Sequence, residues 1–540
     1  MSDEAAGRYR SPIVGDLNVT PDNPDEAVGQ DREPNERVPM IVELNVLYPG
    51  GLGAVRDAFY DLWSRFEGEA GGWHPTREAG STTEPEIPPG LALVAPKLYQ
   101  CVISRQTLRD MVDQDQERAG RGGAPTIFRV WPDYPLDQQI DRSAPTVKAD
   151  AAWASYRARG KRIVWAVIDS GIDGLHPHFS QLELAKEKRG KRPPDGLTTH
   201  LHRDFSHLVQ IGDEPPDVIP VQPGQPGAVS TTALADESGH GTHVAGIIAG
   251  CVPDKAEPKV AVSKEREGGG FVQRQRVGTL SGMAPECELV SLKVMRRNQQ
   301  GSWVTSSAAV IAALSYLRNE VNVDPAVLRV HGVNLSLGCE WRPEDYASGQ
   351  SPLCQALNQL VATGVVVVVS AGNLGARTTG GNFVNTSAVL GSITEPAHAE
   401  DCIAVGSTHR DAPYSFGVTW TSGKGPTLDG RMKPDVVAPG EWITSAATGE
   451  VQSQAGLGPW EDDDSPMSEK YPRYAEKSGT SMAAPHVSGV IAAFLSARPE
   501  FIGRPRQVKQ LLMDNATDLG RERYAQGAGL VDLMRMLSNV

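Results

Sequence analysis

Residues 163–171 are Ile-Val-Trp-Ala-Val-Ile-Asp-Ser-Gly, a continuous apolar run that ends in an acid. Six apolar residues followed by Asp and Gly are typical of a parallel strand buried on both faces. Similar short runs occur at 288–294, 330–335, 365–369 and 402–405, with helical stripes of apolar residues between them. The pattern predicts a doubly wound, mostly parallel α/β domain over residues 161–540. Functional groups in such a domain gather where its strands end.

The composition and charge of the whole chain disfavour several classes of protein. It has 540 residues, 39% hydrophobic and 22% charged, enough for roughly two to four folding units. A net charge of −14 disfavours nucleic acid or anionic membranes as partners. No apolar run is long enough to span a membrane, and the first residues lack the pattern of a secretion signal. Because the six cysteines are too scattered for a disulfide framework, we expect a cytoplasmic protein.

The residues before this domain divide into three parts. Residues 1–37 are polar, which predicts a mobile tail. Residues 38–136 contain strand-like runs at 40–47, 98–103 and 126–131, separated by two amphipathic helical segments. This order predicts a small α+β domain of the split βαβ, ferredoxin-like type. Residues 137–160 follow a Pro-rich polar stretch and are predicted to form a linker.

Three segments of the α/β domain carry the residue types that acyl transfer needs. Asp169 ends the strand quoted above, His240 begins an apolar helix, and Ser481 begins another. A serine hydroxyl becomes an effective nucleophile when an imidazole takes its proton, and a carboxylate must hold that imidazole in the right tautomer. A helix start at the serine adds an N–H and a dipole for developing negative charge. We expect the three side chains to converge.

In this order the segments resemble the subtilisin family of serine proteases, the subtilases, and subtilisin is itself the reference case for the order Asp, His, Ser. Residues 282–285 (Gly-Met-Ala-Pro), 370–373 (Ser-Ala-Gly-Asn) and 430–440 also resemble family segments. The resemblance implies that Asp169 orients the imidazole, His240 is the general base and acid, and Ser481 is the nucleophile. It further implies an oxyanion hole made by the Asn373 side chain and the backbone N–H of Ser481.

Substrate-binding residues are likewise implied by the resemblance. An edge strand, Ser336, Leu337 and Gly338, would pair with the extended backbone of a polypeptide substrate. A second segment, Ser370, Ala371 and Gly372, would form the opposite wall of the specificity pocket. Leu374 would lie at the pocket's rim. Glu395 would lie near its floor, where a carboxylate would favour a basic substrate residue.

The domain at 38–136 resembles the subtilase propeptide in size, element order and position. By this resemblance it would act as an intramolecular chaperone and inhibitor, and residues 133–142 would occupy the cleft and include a self-cleavage site. An ordinary accessory domain is the alternative. The long polar loops at 186–236, 253–276 and 449–477 lie near the catalytic segments and are expected to shape or gate the cleft.

Metal and cysteine chemistry are the remaining considerations. His240 and His243 could form a metal pair, but no third ligand follows at metalloprotease spacing. His200, His202 and His207 are expected to be solvated loop residues. Cys287, Cys339 and Cys402 are expected to be buried apolar groups. No cofactor is expected and no metal ligands are assigned. The sequence leaves open whether a structural calcium ion binds.

The sequence therefore predicts a cytosolic serine endopeptidase that hydrolyses polypeptides through an acyl-enzyme. It would be made as a self-inhibited zymogen with a regulated processing role. One alternative is a binding or scaffold protein whose cleft is permanently blocked by the 38–136 domain. Another is an esterase or transferase that uses the same three residues, although Asn373 and the strand at 336–338 favour peptides.

Overall fold

The computed structural model describes residues 37–67, 87–95, 97–120, 123–132, 143–182, 184, 200–209, 231–252, 258–263, 270–275, 280–324, 327–339, 347–378, 386–456 and 472–540. The chain divides into two compact units, Met1–Asp137 and Gln138–Val540. Residues 1–36 of the predicted tail and the predicted self-cleavage region at 133–142 lie outside the described residues, as do large parts of the three long loops.

The first unit is a four-stranded antiparallel sheet with two helices. Its sheet order, β2-β3-β1-β4, is the order that two interleaved βαβ units produce, as the sequence predicted. Its elements are β1 (Arg37–Leu44), α1 (Gly51–Glu67), β2 (Leu91–Ala95), β3 (Leu98–Ser104), α2 (Arg105–Gly120) and β4 (Ile127–Pro132). The hydroxyl of Ser104 accepts a hydrogen bond from the backbone N–H of Thr107 and caps α2. Strand β2 was not predicted, because its five residues follow a Pro- and Gly-rich stretch.

The second unit is built on a seven-stranded parallel sheet. Its strands, in spatial order, are β17 (Val436–Glu441), β16 (Ile403–His409), β13 (Val366–Ser370), β12 (Gly332–Leu335), β5 (Val164–Asp169), β9 (Glu288–Lys293) and β6 (Arg203–Asp204). The five predicted strands form its centre, and β17 and β6 extend its edges. The predicted doubly wound α/β class is confirmed.

Helices cover both faces of this sheet, and each face has its own apolar core. The helices are α3 (Ser143–Thr146), α4 (Ala149–Tyr156), α5 (His240–Ile248), α6 (Ser307–Tyr316), α7 (Pro352–Ala362), α8 (Pro413–Phe416), α9 (Gly449–Ala455), α10 (Thr480–Ala497), α11 (Pro505–Asp514), α12 (Arg523–Gln526) and α13 (Leu533–Ser538). Helix α10 is long and apolar enough to cross a membrane by length and composition alone, but 83% of it is buried within the fold. It is therefore a core helix.

Smaller sheets and hairpins surround the main sheet. An antiparallel pair joins β10 (Arg296–Arg297) to β11 (Trp303–Val304), and another joins β14 (Ala376–Thr378) to β15 (Thr386–Ala388). A four-stranded sheet has the order β18-β19-β7-β8, from strands β18 (Ile443–Ala446), β19 (Tyr474–Lys477), β7 (Lys259–Ser263) and β8 (Phe271–Gln275). Strand β19 leads directly into α10, so this sheet fixes where α10 begins.

Part of the predicted linker is folded into the second unit. Helices α3 and α4 lie within 137–160, and Ala144, Val147 and Ala152 on and between them are fully buried. The backbone N–H of Leu533 also donates to the carbonyl oxygen of Val147. These small apolar residues at helical spacing account for the difference, since they bury against α10 and α13.

Candidate active site

The acid and the imidazole meet where β5 ends and α5 begins. Asp169 is the last residue of β5 and is fully buried. Its Oδ1 accepts hydrogen bonds from the backbone N–H of Ser170 at 2.8 Å and from Nδ1 of His240 at 2.7 Å. His240 is the first residue of α5, and its side chain is 22% exposed. With Nδ1 donating to the carboxylate, Nε2 is the ring nitrogen that can accept a proton.

A second carboxylate holds the loop before His240 in place. Asp236 is buried, and it accepts hydrogen bonds from the Ser170 hydroxyl at 2.9 Å and from the backbone N–H of Gly239 at 2.8 Å. It also accepts from the backbone N–H and the hydroxyl of Thr242, at 2.8 and 2.7 Å. Burial raises the pKa of Asp236, whereas these four donors oppose the increase. The loop that carries His240 is thereby tied to the residue next to Asp169.

The predicted nucleophile lies in the first turn of α10. The hydroxyl of Ser481 donates to the backbone carbonyl oxygen of Ser336 at 3.2 Å. The hydroxyl of Ser336 in turn donates to the carbonyl oxygen of Ser481 at 2.8 Å, while Asn334 Nδ2 donates to the Ser336 hydroxyl. Ser488 of α10 completes the network by donating to Asn334 Oδ1 at 2.9 Å. The end of β12 and the start of α10 are therefore held together by side chains.

Asn373 follows the end of β13 and faces the same cavity as Ser481. Its Oδ1 accepts from the backbone N–H of Thr480 at 2.9 Å and from the Thr480 hydroxyl at 3.1 Å. Because the oxygen accepts both bonds, Nδ2 is the side of the amide left to donate elsewhere. No described residue accepts a hydrogen bond from it. A side-chain N–H beside a nucleophile is the geometry expected of an oxyanion hole.

These groups open onto one cavity of about 590 Å³. The described residues that line it include His240 and Ser481, the predicted oxyanion-hole residue Asn373, and most of the predicted recognition residues, namely Ser336, Leu337, Gly338, Ser370, Gly372 and Leu374. Ala371 is fully buried and lies behind this wall, where its carbonyl oxygen accepts from the backbone N–H of Thr394. The tertiary fold thus brings the predicted site residues together around one cleft.

Similarity to known proteins agrees with this arrangement. Residues 160–530 match the sequence pattern described as the Subtilase family. The chain belongs to the subtilases. The predicted family and enzyme class, a subtilisin-like serine peptidase, are therefore confirmed at the level of the family.

Individual relatives are similar over the subtilase domain. The chain is 29% identical to the serine protease AprX of Bacillus subtilis, over 55% of this chain and 57% of AprX. It is 30% identical to pyrolysin of Pyrococcus furiosus, over 56% of this chain and 21% of pyrolysin. It is 28% identical to subtilisin Savinase of Lederbergia lenta, over 57% of this chain and 79% of Savinase. The chain thus spans little more than half of AprX and about a fifth of pyrolysin.

Among solved structures, a protease of Pseudoalteromonas arctica is 20% identical to this chain, with a TM-score of 0.46. That match covers 75% of this chain and 99% of the other.

Several residues of the subtilase cleft were not singled out from the sequence. Trp303 of β11, Glu450 of α9 and Lys477 of β19 line the cavity beside His240. Asp236 is a fourth, since it positions the loop before His240. Asp236 lies three residues before the N-cap position, Gly239, so the usual capping rule does not single it out. The other three come from segments far apart in the chain and have no local signal either.

Three expectations about single residues are wrong. Glu395 is buried, its carboxylate accepts from the thiol of Cys354 at 3.4 Å, and it does not line the cleft. His202 is fully buried and its Nδ1 accepts from the backbone N–H of Ser291, so it is not a solvated loop residue. Cys339 is exposed and lines the cleft, because it lies four residues beyond the end of β12, a central strand of the sheet, and does not enter the core.

The alternative of a metal pair at His240 and His243 gains no support. His243 is fully buried, its Nε2 bonds to the carbonyl oxygen of Ala475, and burial lowers its pKa to about 3. Within the described ranges, no group of three or more His, Cys, Asp or Glu side chains could hold a metal ion. His240 instead has Asp169 as its partner.

Proposed function

We propose that this subtilase is a serine endopeptidase in which Asp169, His240 and Ser481 form the catalytic triad. The observation that carries the proposal is the 2.7 Å hydrogen bond between His240 Nδ1 and Asp169 Oδ1, at a cleft that Ser481 and Asn373 also line. The carboxylate holds the imidazole in the tautomer that leaves Nε2 free to act as a base.

The proposed reaction proceeds by acyl transfer. The Ser481 hydroxyl exchanges its present acceptor, the Ser336 carbonyl oxygen, for Nε2 of His240, and its oxygen attacks the substrate carbonyl carbon as the proton moves to the imidazole. The resulting oxyanion accepts from Asn373 Nδ2 and from the backbone N–H of Ser481. His240 then protonates the leaving amine, the C–N bond breaks, and water hydrolyses the acyl-enzyme by the same route. These steps need no metal or cofactor.

Polypeptides are the proposed substrates. Ser336, Leu337 and Gly338 line the cleft directly after β12, which supports pairing of this segment with an extended substrate backbone. Gly372 forms part of the facing wall, and a Cβ placed there would lie 2.4 Å from the Thr394 hydroxyl oxygen. Glycine on each side of the cleft, Gly338 and Gly372, leaves room for an extended backbone, which suits a polypeptide better than a compact ester. The esterase alternative therefore has less support.

We further propose that the first unit is an inhibitory propeptide and that the enzyme is a cytoplasmic zymogen with a regulated processing role. The split βαβ topology of that unit supports a propeptide-type domain. All six cysteines lie among the described residues and none of them forms a disulfide bond, which supports a reducing compartment. Neither a nucleic acid nor a membrane is a proposed partner. Whether the protein binds a structural calcium ion can be tested by measuring whether a chelator lowers its melting temperature.

The decisive experiment compares the wild-type chain with Ser481→Ala. We expect a fluorophosphonate probe to label wild-type Ser481, casein to be hydrolysed, and the purified chain to be cut between residues 133 and 145. Ser481→Ala should lose all three, because it lacks the nucleophile. Ser538→Ala, which removes an exposed hydroxyl near the C-terminus, is the control and should retain them.

Each other outcome selects an alternative. Cutting of Ser481→Ala to the wild-type extent would exclude self-processing. If the wild-type chain remained unlabelled even after limited proteolysis, the blocked scaffold would be the better description. Hydrolysis of small activated esters without any cleavage of casein would identify an esterase.

A further inference from the structure

Lys477 places a positive charge in the active-site cleft. It is the last residue of β19, four residues before Ser481, and it lines the cavity together with His240 and Ser481. Within the described part of the chain its Nζ donates no hydrogen bond and forms no ion pair. A lysine in such a position usually has a carboxylate or carbonyl partner, because removing an ammonium group from water is costly.

The surroundings of Lys477 keep this charge available. Burial lowers the pKa of Lys477, and the nearby Asp169 carboxylate counteracts that decrease by favouring the charged form. Asp169 already bonds to His240. Glu450, the one carboxylate among the described residues that line the cavity, pairs with Arg297 at 3.1 Å. Lys477 therefore faces the open cavity as a cation that forms no ion pair with any described residue.

The position of Lys477 relative to the imidazole indicates which part of a substrate it would meet. Its charge acts on Asp169 and on His243, both of which adjoin His240. In the proposed reaction the leaving amine takes its proton from His240, so the residues after the cleaved bond pass on the imidazole side of Ser481. Ser336–Gly338 instead form the wall proposed to pair with the acyl part. Lys477 thus belongs to the leaving-group side.

We propose that Lys477 is a specificity-determining residue that binds the carboxylate side chain of an Asp or Glu at the first or second position after the cleaved bond. The proposal rests on the proposed peptidase function. An incoming carboxylate supplies the missing counter-ion, and the resulting charge-assisted hydrogen bond replaces the water that hydrates the ammonium group in the free enzyme. The enzyme would accordingly select acidic segments on the leaving-group side.

The test uses enzyme prepared from the full-length chain, and fluorophosphonate titration of a separate sample gives the concentration of active sites. Internally quenched peptides of one sequence carry Asp, Asn or Lys at the first or the second position after the cleaved bond. We expect the wild-type kcat/KM to be about tenfold higher for Asp than for Asn at one of these positions, which corresponds to one charge-assisted hydrogen bond. Lys477→Met should reduce this ratio to about one, and Lys477→Glu should favour the Lys peptide.

The control is Lys161→Met, which removes the same charge from an exposed residue before β5, at the opposite end of the sheet from Asp169. It should keep the wild-type ratio. Equal wild-type rates for Asp and Asn at both positions would overturn the proposal, and so would a Lys477→Met variant that kept the preference. A uniform fall in kcat for all peptides, with a shifted pH profile, would make Lys477 a positioning residue instead.

The result is different if the chain lacks the proposed peptidase activity. In that case no peptide is cleaved and the titration finds no labelled serine in any variant. Should Lys477→Met fail to fold, Lys477→Gln removes the charge while keeping a polar group, and its labelling by the probe reports whether the site is intact.

Discussion

At the scale of single residues, the buried carboxylate of Asp236 explains how the imidazole loop is held. Four donors converge on its two oxygens, and they belong to both sides of the Asp169–His240 pair. Such a network stabilises the fold only when every donor has an acceptor, since a buried donor without an acceptor lowers the stability by about 1–3 kcal/mol.

Asp236→Asn should therefore destabilise the second unit by about 1–3 kcal/mol and lower kcat/KM. The amide keeps one acceptor oxygen, but its NH₂ group replaces the other oxygen and faces an N–H donor. Urea unfolding and peptide hydrolysis are the measurements. Glu237→Gln is the matched control: that carboxylate is 63% exposed and pairs with Lys293, so the free energy of unfolding should change by less than about 1 kcal/mol. Equal effects of the two variants would contradict this role for Asp236.

At the scale of elements, the start of α5 depends on a glycine. Gly239 precedes His240 with φ of +83°, and a Cβ placed on it would lie 2.1 Å from the backbone carbonyl oxygen of Thr448. The segment before α9 therefore packs directly against the loop that delivers the imidazole. Both the backbone conformation and the close approach require glycine at this position.

Gly239→Ala should lower the free energy of unfolding by considerably more than the cost of placing an alanine at a positive φ. The substitution should also displace His240. Gly430→Ala isolates the conformational part, because Gly430 has φ of +87° and no atom lies within 4 Å of a Cβ placed there. We expect the control to cost about 1–2 kcal/mol and keep its activity. Melting temperature and kcat/KM measure both effects. A Gly239→Ala enzyme as active and stable as the control would show that the segment at Thr448 moves aside easily.

At the scale of the whole molecule, buried histidines link stability to pH. Burial lowers the pKa of six of them to about 3 or 4: His176, His178, His202, His243, His398 and His486. Their unfolded pKa is about 6.5. Between these values the unfolded chain binds protons that the folded chain does not. These histidines therefore do not lower the free energy of unfolding above about pH 6.5, and they lower it progressively as the pH falls towards 4.

We expect each of these histidines to remove about 1.4 kcal/mol of unfolding free energy between pH 7.5 and 5.5. This range lies above the titration of ordinary carboxylates, so the histidines should dominate it. Urea unfolding at several pH values, with the proton uptake on unfolding measured in parallel, tests this expectation. An unfolding free energy that stayed constant from pH 7.5 to 5.5 would contradict the buried, neutral state of these side chains.

Local patterns along the chain were enough to predict the central strands, the three segments around Asp169, His240 and Ser481, and the family. Runs of apolar residues and helix starts depend on neighbours in sequence, so they can be recognised without knowing the fold. Contacts between distant segments decided the rest: the four donors on Asp236, the burial of Glu395, and the ammonium of Lys477, which no described carboxylate pairs with. Burial and hydrogen-bond partners depend on which parts of the chain pack together, and that information exists only once the chain has folded.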